Sequence, residues 1–289
     1  MTPFPDFSMR ADLVEEMDKP DCDQAVLFAT LSRFEQTNLL FTRYRTVLQR
    51  YLLSDMRCHP EREYRLTDLG AGGCDISRWL IRICRSENLH LTIRAIDQDP
   101  RVIDFARLAN AGYPEIEVVQ ADACDPASWG KPDTLFAQHL LHHLPDAACI
   151  QLLKMLDQAN LRRFVLSDLS RSRLAYHAFR IAALPLATGT LIIEDGSASI
   201  RRGFREQELR EMIKQAALKC PVTTYQLWPS RLVIVGGASW TPSPQPSPLK
   251  GEGADRIPSP LMGKGEKQHS LSPWGRGSVV WPESVHPVA

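Results

Sequence analysis

Neither sign of charge is in excess in this 289-residue chain: Lys+Arg and Asp+Glu stand at 34 each, for a formal net charge of zero. A polyanion meets no overall attractive field, so a nucleic-acid partner is not expected. The cysteines lack any pairing pattern. There are seven, at positions 22, 58, 74, 84, 124, 149 and 220, and no CxxC spacing joins any two. That argues against a disulfide framework or a zinc ribbon, and it fits a reducing, cytoplasmic setting. Long hydrophobic runs are missing too. The longest, residues 181–193, contains Pro185 and falls short of the roughly 20 residues that a bilayer requires, so no integral membrane segment is expected. Acids and prolines interrupt the N-terminal stretch early, which leaves no charged-then-apolar signal pattern.

What is present is organised in three parts. Residues 1–63 read as a helical segment capping the site, because Leu40, Tyr44, Val47 and Tyr51 share one face of a helix spanning 24–53. Residues 64–237 alternate short apolar runs with amphipathic stretches. Strands are expected at 64–69, 91–96, 116–119, 134–137 and 163–167, with helices at 76–86, 100–110 and 146–157 between them. This β-α alternation predicts an α/β fold: a Rossmann-like, mostly parallel seven-stranded sheet with helices on both faces. Helices at 172–184 and 205–219 follow. Two closing strands, 222–228 and 232–235, are joined through Pro229-Ser230, which makes the last strand antiparallel. Residues 238–289 read as a disordered, dispensable tail. Segment 240–289 holds nine of the 21 prolines and six of the 16 glycines, and it repeats PSPLKGEG as PSPLMGKGE without an apolar face for stacking.

The informative motif is Asp68-Leu-Gly-Ala-Gly-Gly-Cys-Asp75. A strand ends at Asp68-Leu69, and Gly70 and Gly72 let a ligand approach bare backbone at a helix N-terminus. A dinucleotide fingerprint beginning at Gly70 needs glycine at 75, where Asp75 stands, and a carboxylate there repels a pyrophosphate. Asp97 ends the second strand, where a carboxylate can accept ribose hydroxyls. Asp122 follows the third strand and suits an adenine edge; a turn or helix-capping role is the alternative.

These residues, D-x-G-x-G at 68–72, Asp97, Asp122 and LFAQHLLHHLPD at 135–146, resemble the class I S-adenosylmethionine-dependent methyltransferases. Residues 167–176 and 195–204 resemble a bacterial small-molecule branch, of the ubiquinone/menaquinone type and of polyketide and phenolic pathways. The resemblance covers roughly residues 30–237. It departs at Cys74, where many members carry a third glycine. It implies S-adenosyl-L-methionine as cofactor, held by Asp68, Gly70, Gly72, Asp97, Asp122, Ala123 and Gln138, and methyl transfer to a small-molecule acceptor, a phenolic or quinol-like hydroxyl.

His139, His142 and His143 follow the fourth strand, and His142 is the preferred general base for that hydroxyl. Packing and hydrogen bonding around the cofactor loop is the alternative. His139 and His143, at i and i+4, could ligate zinc, but no glutamate of an HExxH pattern and no third ligand is evident, so no metal is expected. The stretch 171–193, with Arg171, Arg173, Tyr176, His177 and Phe179, is expected to wall the acceptor pocket, with Asp195 and Arg201 reaching in from a following loop. Rival functions are a nucleic-acid base methyltransferase, a nicotinamide-dependent oxidoreductase and a non-catalytic binder of S-adenosylmethionine or another nucleotide. The first lacks its Pro-Pro-aromatic or Pro-Cys motif, and the second is opposed by Asp75. Acceptor identity and oligomeric state stay open.

Overall fold

The computed structural model describes residues 5–241. Seven strands form one sheet: β1 Glu63–Leu69, β2 His90–Asp97, β3 Ile116–Gln120, β4 Thr134–Gln138, β5 Arg163–Leu169, β6 Val222–Leu227 and β7 Arg231–Gly236. Their order is β3-β2-β1-β4-β5-β7-β6. The first five are parallel, and β7 runs antiparallel to both β5 and β6. The chain reverses direction across the sheet between β1 and β4, the switch point at which such sheets open a crevice at their carboxyl ends.

Helices cover both faces because the strands bury both. Along β4 and β7 consecutive residues point to opposite cores: Phe136, Val233 and Val235 face one, Leu135, Ala137, Leu232 and Ile234 the other. The first core is closed by residues 44–58 and by α4 Asp75–Ser86, through Trp79, Leu80 and Cys84. The second is closed by α6 Asp146–Gln158 and α9 Glu206–Ala216, through Leu152, Leu156, Leu209 and Met212. α5 Pro100–Ala109 starts on Asp99, whose carboxylate accepts the Arg101 N–H, with Pro100 in the first turn.

The single helix expected over 24–53 is broken in two. α1 runs Gln24–Phe41, starting on Asp23, whose side chain accepts the Ala25 and Val26 N–H groups. Arg43 then takes a left-handed φ of 57°, and the chain turns into α2 Tyr44–Leu48, a π-helical stretch Gln49–Leu53 and α3 Ser54–Cys58. The turn lets α1 leave the sheet and pack its Leu27 and Leu31 on Val102 and Phe105 of α5. α1 thereby lies over the carboxyl ends of the strands.

The expected loop at 195–204 is instead α8 Ile192–Arg202, which follows α7 Arg173–Ala182. Gly196 and two serines make it a weak helix by propensity. Packing overrides that: Ile192, Ile193 and Ile200 are buried, and Gly196 lies where a Cβ would overlap the Phe179 ring of α7. The tail expected from residue 238 lies mostly outside the described residues. Residues 238–240 are held in place, with Ala238 and Ser239 N–H donating to the carbonyls of Leu161 and Arg162 and the Trp240 ring against Tyr51.

Candidate active site

The turn after β1 is shaped for a ligand by its backbone. Gly70 and Gly72 have φ of 66° and 53°, and Cys74, the residue before α4, also lies in the left-handed region at 58°. That conformation accounts for the glycine seen at this position in the resembling family. A Cβ on Gly70 would sit 3.2 Å from the Leu140 side chain. The turn is tied to the end of β2: Ala71 N–H donates to the Ile96 carbonyl, and Gly72 N–H to Asp97 Oδ2 at 3.0 Å.

Three expected carboxylates surround this turn in different states. Asp68 is buried and accepts Ser77 Oγ–H at 2.6 Å, and burial pushes its pKa up to about 7. Asp97 is also raised by burial, against the lowering effect of the Asp99 and Gly72 N–H groups. Asp122 Oδ1 accepts the Cys124 N–H at 2.8 Å, so it performs the turn role while its residue faces the cavity. Asp75, whose carboxylate opposed the dinucleotide reading, is buried in the first turn of α4 and accepts Asn38 Nδ2–H at 3.0 Å. Gln138 is buried at the end of β4. Its Nε2 faces Asn38 Oδ1 at 3.4 Å, and its Oε1 has no partner.

All seven expected cofactor residues line one cavity of about 910 Å³. His139, His142 and His143 line it as well, but the structure separates them. His139 has a φ of 60° and turns its ring onto the buried guanidinium of Arg231. Burial, then that cation, hold its pKa well below the usual imidazole value. The i, i+4 arrangement with His143 that the sequence allowed, and that was not expected to hold a metal, is not formed, because residues 141–143 are a 3-10 turn and not an α-helix.

His142 is the buried centre of a different group. Its Nδ1 is 2.7 Å from Asp168 Oδ1, and its Nε2 lies 3.4 Å from Glu15 Oε1. Burial works most strongly against the charged ring, but Asp168 and Glu15 together outweigh it, and the pKa is pushed up to about 9. Asp168 is held well below the carboxylate range by His142 in spite of its burial, and Glu15 is lowered to about 2 in spite of burial, chiefly by His142. His142 thus keeps its proton at neutral pH. The free general base expected from its position is corrected to a positively charged ring between two carboxylates.

Glu15, Asp168 and Asn38 are site residues that sequence reasoning missed. No local pattern marks them, since Glu15 and Asn38 lie more than a hundred residues before the histidine segment. Asp195 lines the cavity from α8 and accepts the Glu16 and Met17 N–H groups at 2.6 and 3.1 Å, holding the N-terminal strap against the site. The wall from α7 keeps Phe179 of the expected residues and is otherwise made by others. Leu174, Ala175, Ala178 and Phe179 face the cavity, whereas Arg171 is buried elsewhere, bound to the Gly203 carbonyl and Glu208. Phe34 and Phe41 of α1 and Trp228 complete the apolar side. Among the described residues, no helix is long and apolar enough to cross a membrane.

A known family, described as a methyltransferase domain, matches residues 67–177. No curated relative matches the sequence. Solved structures match in fold. A SAM-dependent methyltransferase from Aquifex aeolicus aligns with a TM-score of 0.50 at 14% identity, over 71% of this chain and 95% of that one. The CurJ carbon methyltransferase aligns at 0.54 and 15%, over 75% of this chain and 61% of that one. The plantazolicin methyltransferase BamL, solved with a desmethyl plantazolicin analogue and SAH, aligns at 0.53 and 12%, over 72% and 90%. At these identities the likeness is one of fold, the Rossmann-like methyltransferase sheet.

Proposed function

We propose that this chain, a class I S-adenosylmethionine-dependent methyltransferase, moves the sulfonium methyl group onto a small-molecule acceptor, a phenolic or quinol-like hydroxyl. One observation carries the reading. Bare backbone at Gly70 and Gly72, the carboxylates of Asp68, Asp97 and Asp122, and the polar group of His142 and Glu15 all face a single cavity of about 910 Å³. Pockets for one drug-sized ligand run to roughly 1,000 Å³ at most, so this volume suits a cofactor with a modest acceptor beside it.

In this reading Asp97 accepts the ribose hydroxyls, and Asp122 and Ala123 meet the adenine. Asp68 faces the positively charged methionine end, and the unpartnered Oε1 of Gln138 accepts from its amino group. The sulfonium supplies an activated methyl group, and the protein's part is to align acceptor oxygen, methyl carbon and sulfur. With the cofactor bound, the acceptor oxygen would take the methyl group as the C–S electron pair returned to sulfur, and the hydroxyl proton would pass to water at the cavity.

The acceptor end supports an aromatic substrate. Phe34, Phe41, Phe179, Leu174 and Trp228 offer apolar and aromatic walls, while His142 and Glu15 form one polar wall for a hydroxyl, with Asp168 buried behind His142. His142 enters as a member of that wall, through the face of its ring turned to Glu15. The N-terminal region of residues 1–63 supplies the cap over a methyltransferase domain of 64–237 through residues 13–42, while residues 44–58 pack against the sheet. A cytoplasmic setting without a nucleic-acid partner is part of the same reading, supported by seven free cysteines and zero net charge.

The test is direct. S-adenosylhomocysteine, and not NAD, is expected to raise the melting temperature. Label from methyl-tritiated S-adenosylmethionine is expected on members of a phenol and quinol panel and not on RNA. Stabilisation by NAD alone would refute the assignment, and transfer only to RNA would refute the acceptor class.

A further inference from the structure

The turn after β4 and the N-terminal strap bring together a side-chain set that methyl transfer from a sulfonium does not itself require. His142 and His143 are consecutive, with ring centroids 4.3 Å apart and planes tilted by 41°. Nε2 of His142 lies 3.4 Å from Glu15 Oε1, and Nε2 of His143 lies 3.8 Å from the same oxygen. One donor atom from each of these three residues falls within 4.8 Å of the other two. Atoms bound to one ion at about 2.0–2.2 Å lie roughly 3–3.6 Å apart in tetrahedral or octahedral arrangement, so small side-chain shifts close this set.

The opposite nitrogen of each ring is already held by a carboxylate. Asp168 Oδ1 is 2.7 Å from Nδ1 of His142, and Asp18 Oδ2 is 3.1 Å from Nδ1 of His143. Metal-ligating histidines have such outer partners, which fix the ring, so that an ion bound at Nε2 displaces the proton that His142 otherwise holds there while Nδ1–H stays on Asp168. Ser199 Oγ–H donates to Glu15 Oε1 at 2.7 Å and orients it, and Arg202 stands 3.6 Å from that oxygen. A separate observation points to a ligand: Nε2 of His142 is fully buried and makes no hydrogen bond.

We propose that Glu15, His142 and His143 bind one divalent first-row transition-metal ion. Two imidazoles and one carboxylate favour manganese, iron(II), cobalt or zinc over magnesium or calcium. All three residues line the cavity, so the ion's remaining positions face it and take the acceptor's oxygen. Bound there, the hydroxyl releases its proton to water, and the oxygen is held for attack on the methyl carbon. Placing the acceptor on the ion rests on the methyltransferase reading above; the binding of the ion does not.

Full-length protein dialysed against EDTA is titrated with Co²⁺, whose visible absorption reports nitrogen ligation, and with Mg²⁺ by calorimetry. One Co²⁺ per chain is expected, bound at least about tenfold tighter than Mg²⁺, and Glu15→Gln and His143→Ala should each weaken it by about tenfold or more. A thermal shift with S-adenosylhomocysteine is run on every protein, and its retention shows an intact fold. Absence of Co²⁺ binding in the wild type, or binding unchanged in both variants, overturns the metal site and leaves the methyltransferase reading standing. Failure of S-adenosylhomocysteine to bind the wild type overturns that reading and leaves the metal result to be judged by itself. Should His143→Ala fail to fold, Glu15→Gln decides.

Discussion

Asp68, Asp97 and Asp122 reach the cavity from the ends of three adjacent strands, each beside the turn that positions it. Glu15 and Asp195 reach it from the segment before α1 and from α8, with Asp168 at the end of β5 buried behind His142; Glu15 and its partner Ser199 are 184 residues apart. The first half of the site is local and the second is assembled. A local half can lose a side chain and keep its shape, because strand pairing and the glycine turn hold it. An assembled half is held by the same polar contacts that give it chemistry, so its side chains carry structure and function together.

The sharpest way to break that contrast is Asp168→Ala. It leaves the buried His142 without its closest carboxylate, and removing one partner of a buried ion pair costs about 3–5 kcal/mol. In a domain of this size the melting temperature is expected to fall on the order of 10 °C. Calorimetry of the variant checks this. A loss under 2 °C would mean that the acceptor half is not held together by this pair.

Asp97→Ala is the counterpart on the local half, with a smaller effect of a different kind. It removes the acceptor for Gly72 N–H and the proposed ribose contact. S-adenosylhomocysteine affinity is expected to fall by about 30- to 150-fold, the worth of charge-assisted hydrogen bonds of about 2–3 kcal/mol. The melting temperature of the unliganded protein should move by less than that of Asp168→Ala. Titration calorimetry with scanning calorimetry measures both. Unchanged affinity would remove Asp97 from the ribose.

The same contrast governs what could be read from sequence. The sheet was legible because short apolar runs alternating with amphipathic helices specify it locally, and the seven cofactor candidates sat within a few residues of strand ends. α8 was not legible, since Gly196 and its serines oppose a helix that only the Phe179 ring and the buried isoleucines impose. The break at Arg43 was invisible for a related reason: the apolar period continues through it, and only packing of α1 on α5 selects the left-handed residue. His142 was found by its position after β4, but its state was not, because Glu15 and Asp168 set it from distant segments.

Protonation sharpens the comparison further. Asp68 carries a pKa raised by burial from 3.8 to about 7. A carboxyl raised in the fold opposes folding as pH climbs above its unfolded value, and the opposition levels off above about 7. A ligand bearing positive charge favours the ionised form, so binding releases a proton below pH 7. S-adenosylmethionine affinity is therefore expected to rise with pH, by at most about tenfold per unit, and to level off above about 7. Asp68→Asn should flatten the profile. A wild-type profile flat between pH 5 and 8 would place the cofactor's charge away from Asp68.

The smallest effect is expected at the rim. Trp228 lines the cavity next to Pro229, yet it is 81% exposed, the most exposed of the large hydrophobic side chains among the described residues. A tryptophan left in water at a cavity mouth contributes little to the fold, so Trp228→Ala should change stability by less than about 0.5 kcal/mol. Its indole is instead placed to cover an apolar acceptor seated against the paired rings of Phe41 and Phe179. Losing part of that cover should raise the acceptor KM by about three- to tenfold, the value of about 1 kcal/mol of apolar contact, while kcat and S-adenosylhomocysteine affinity stay within twofold. Steady-state kinetics on an aromatic acceptor, run beside S-adenosylhomocysteine titration, separates these quantities. A fall in cofactor affinity equal to the rise in KM would show that the two halves of the cavity are not built independently at the rim, and the contrast between a local and an assembled half would hold only in its depths.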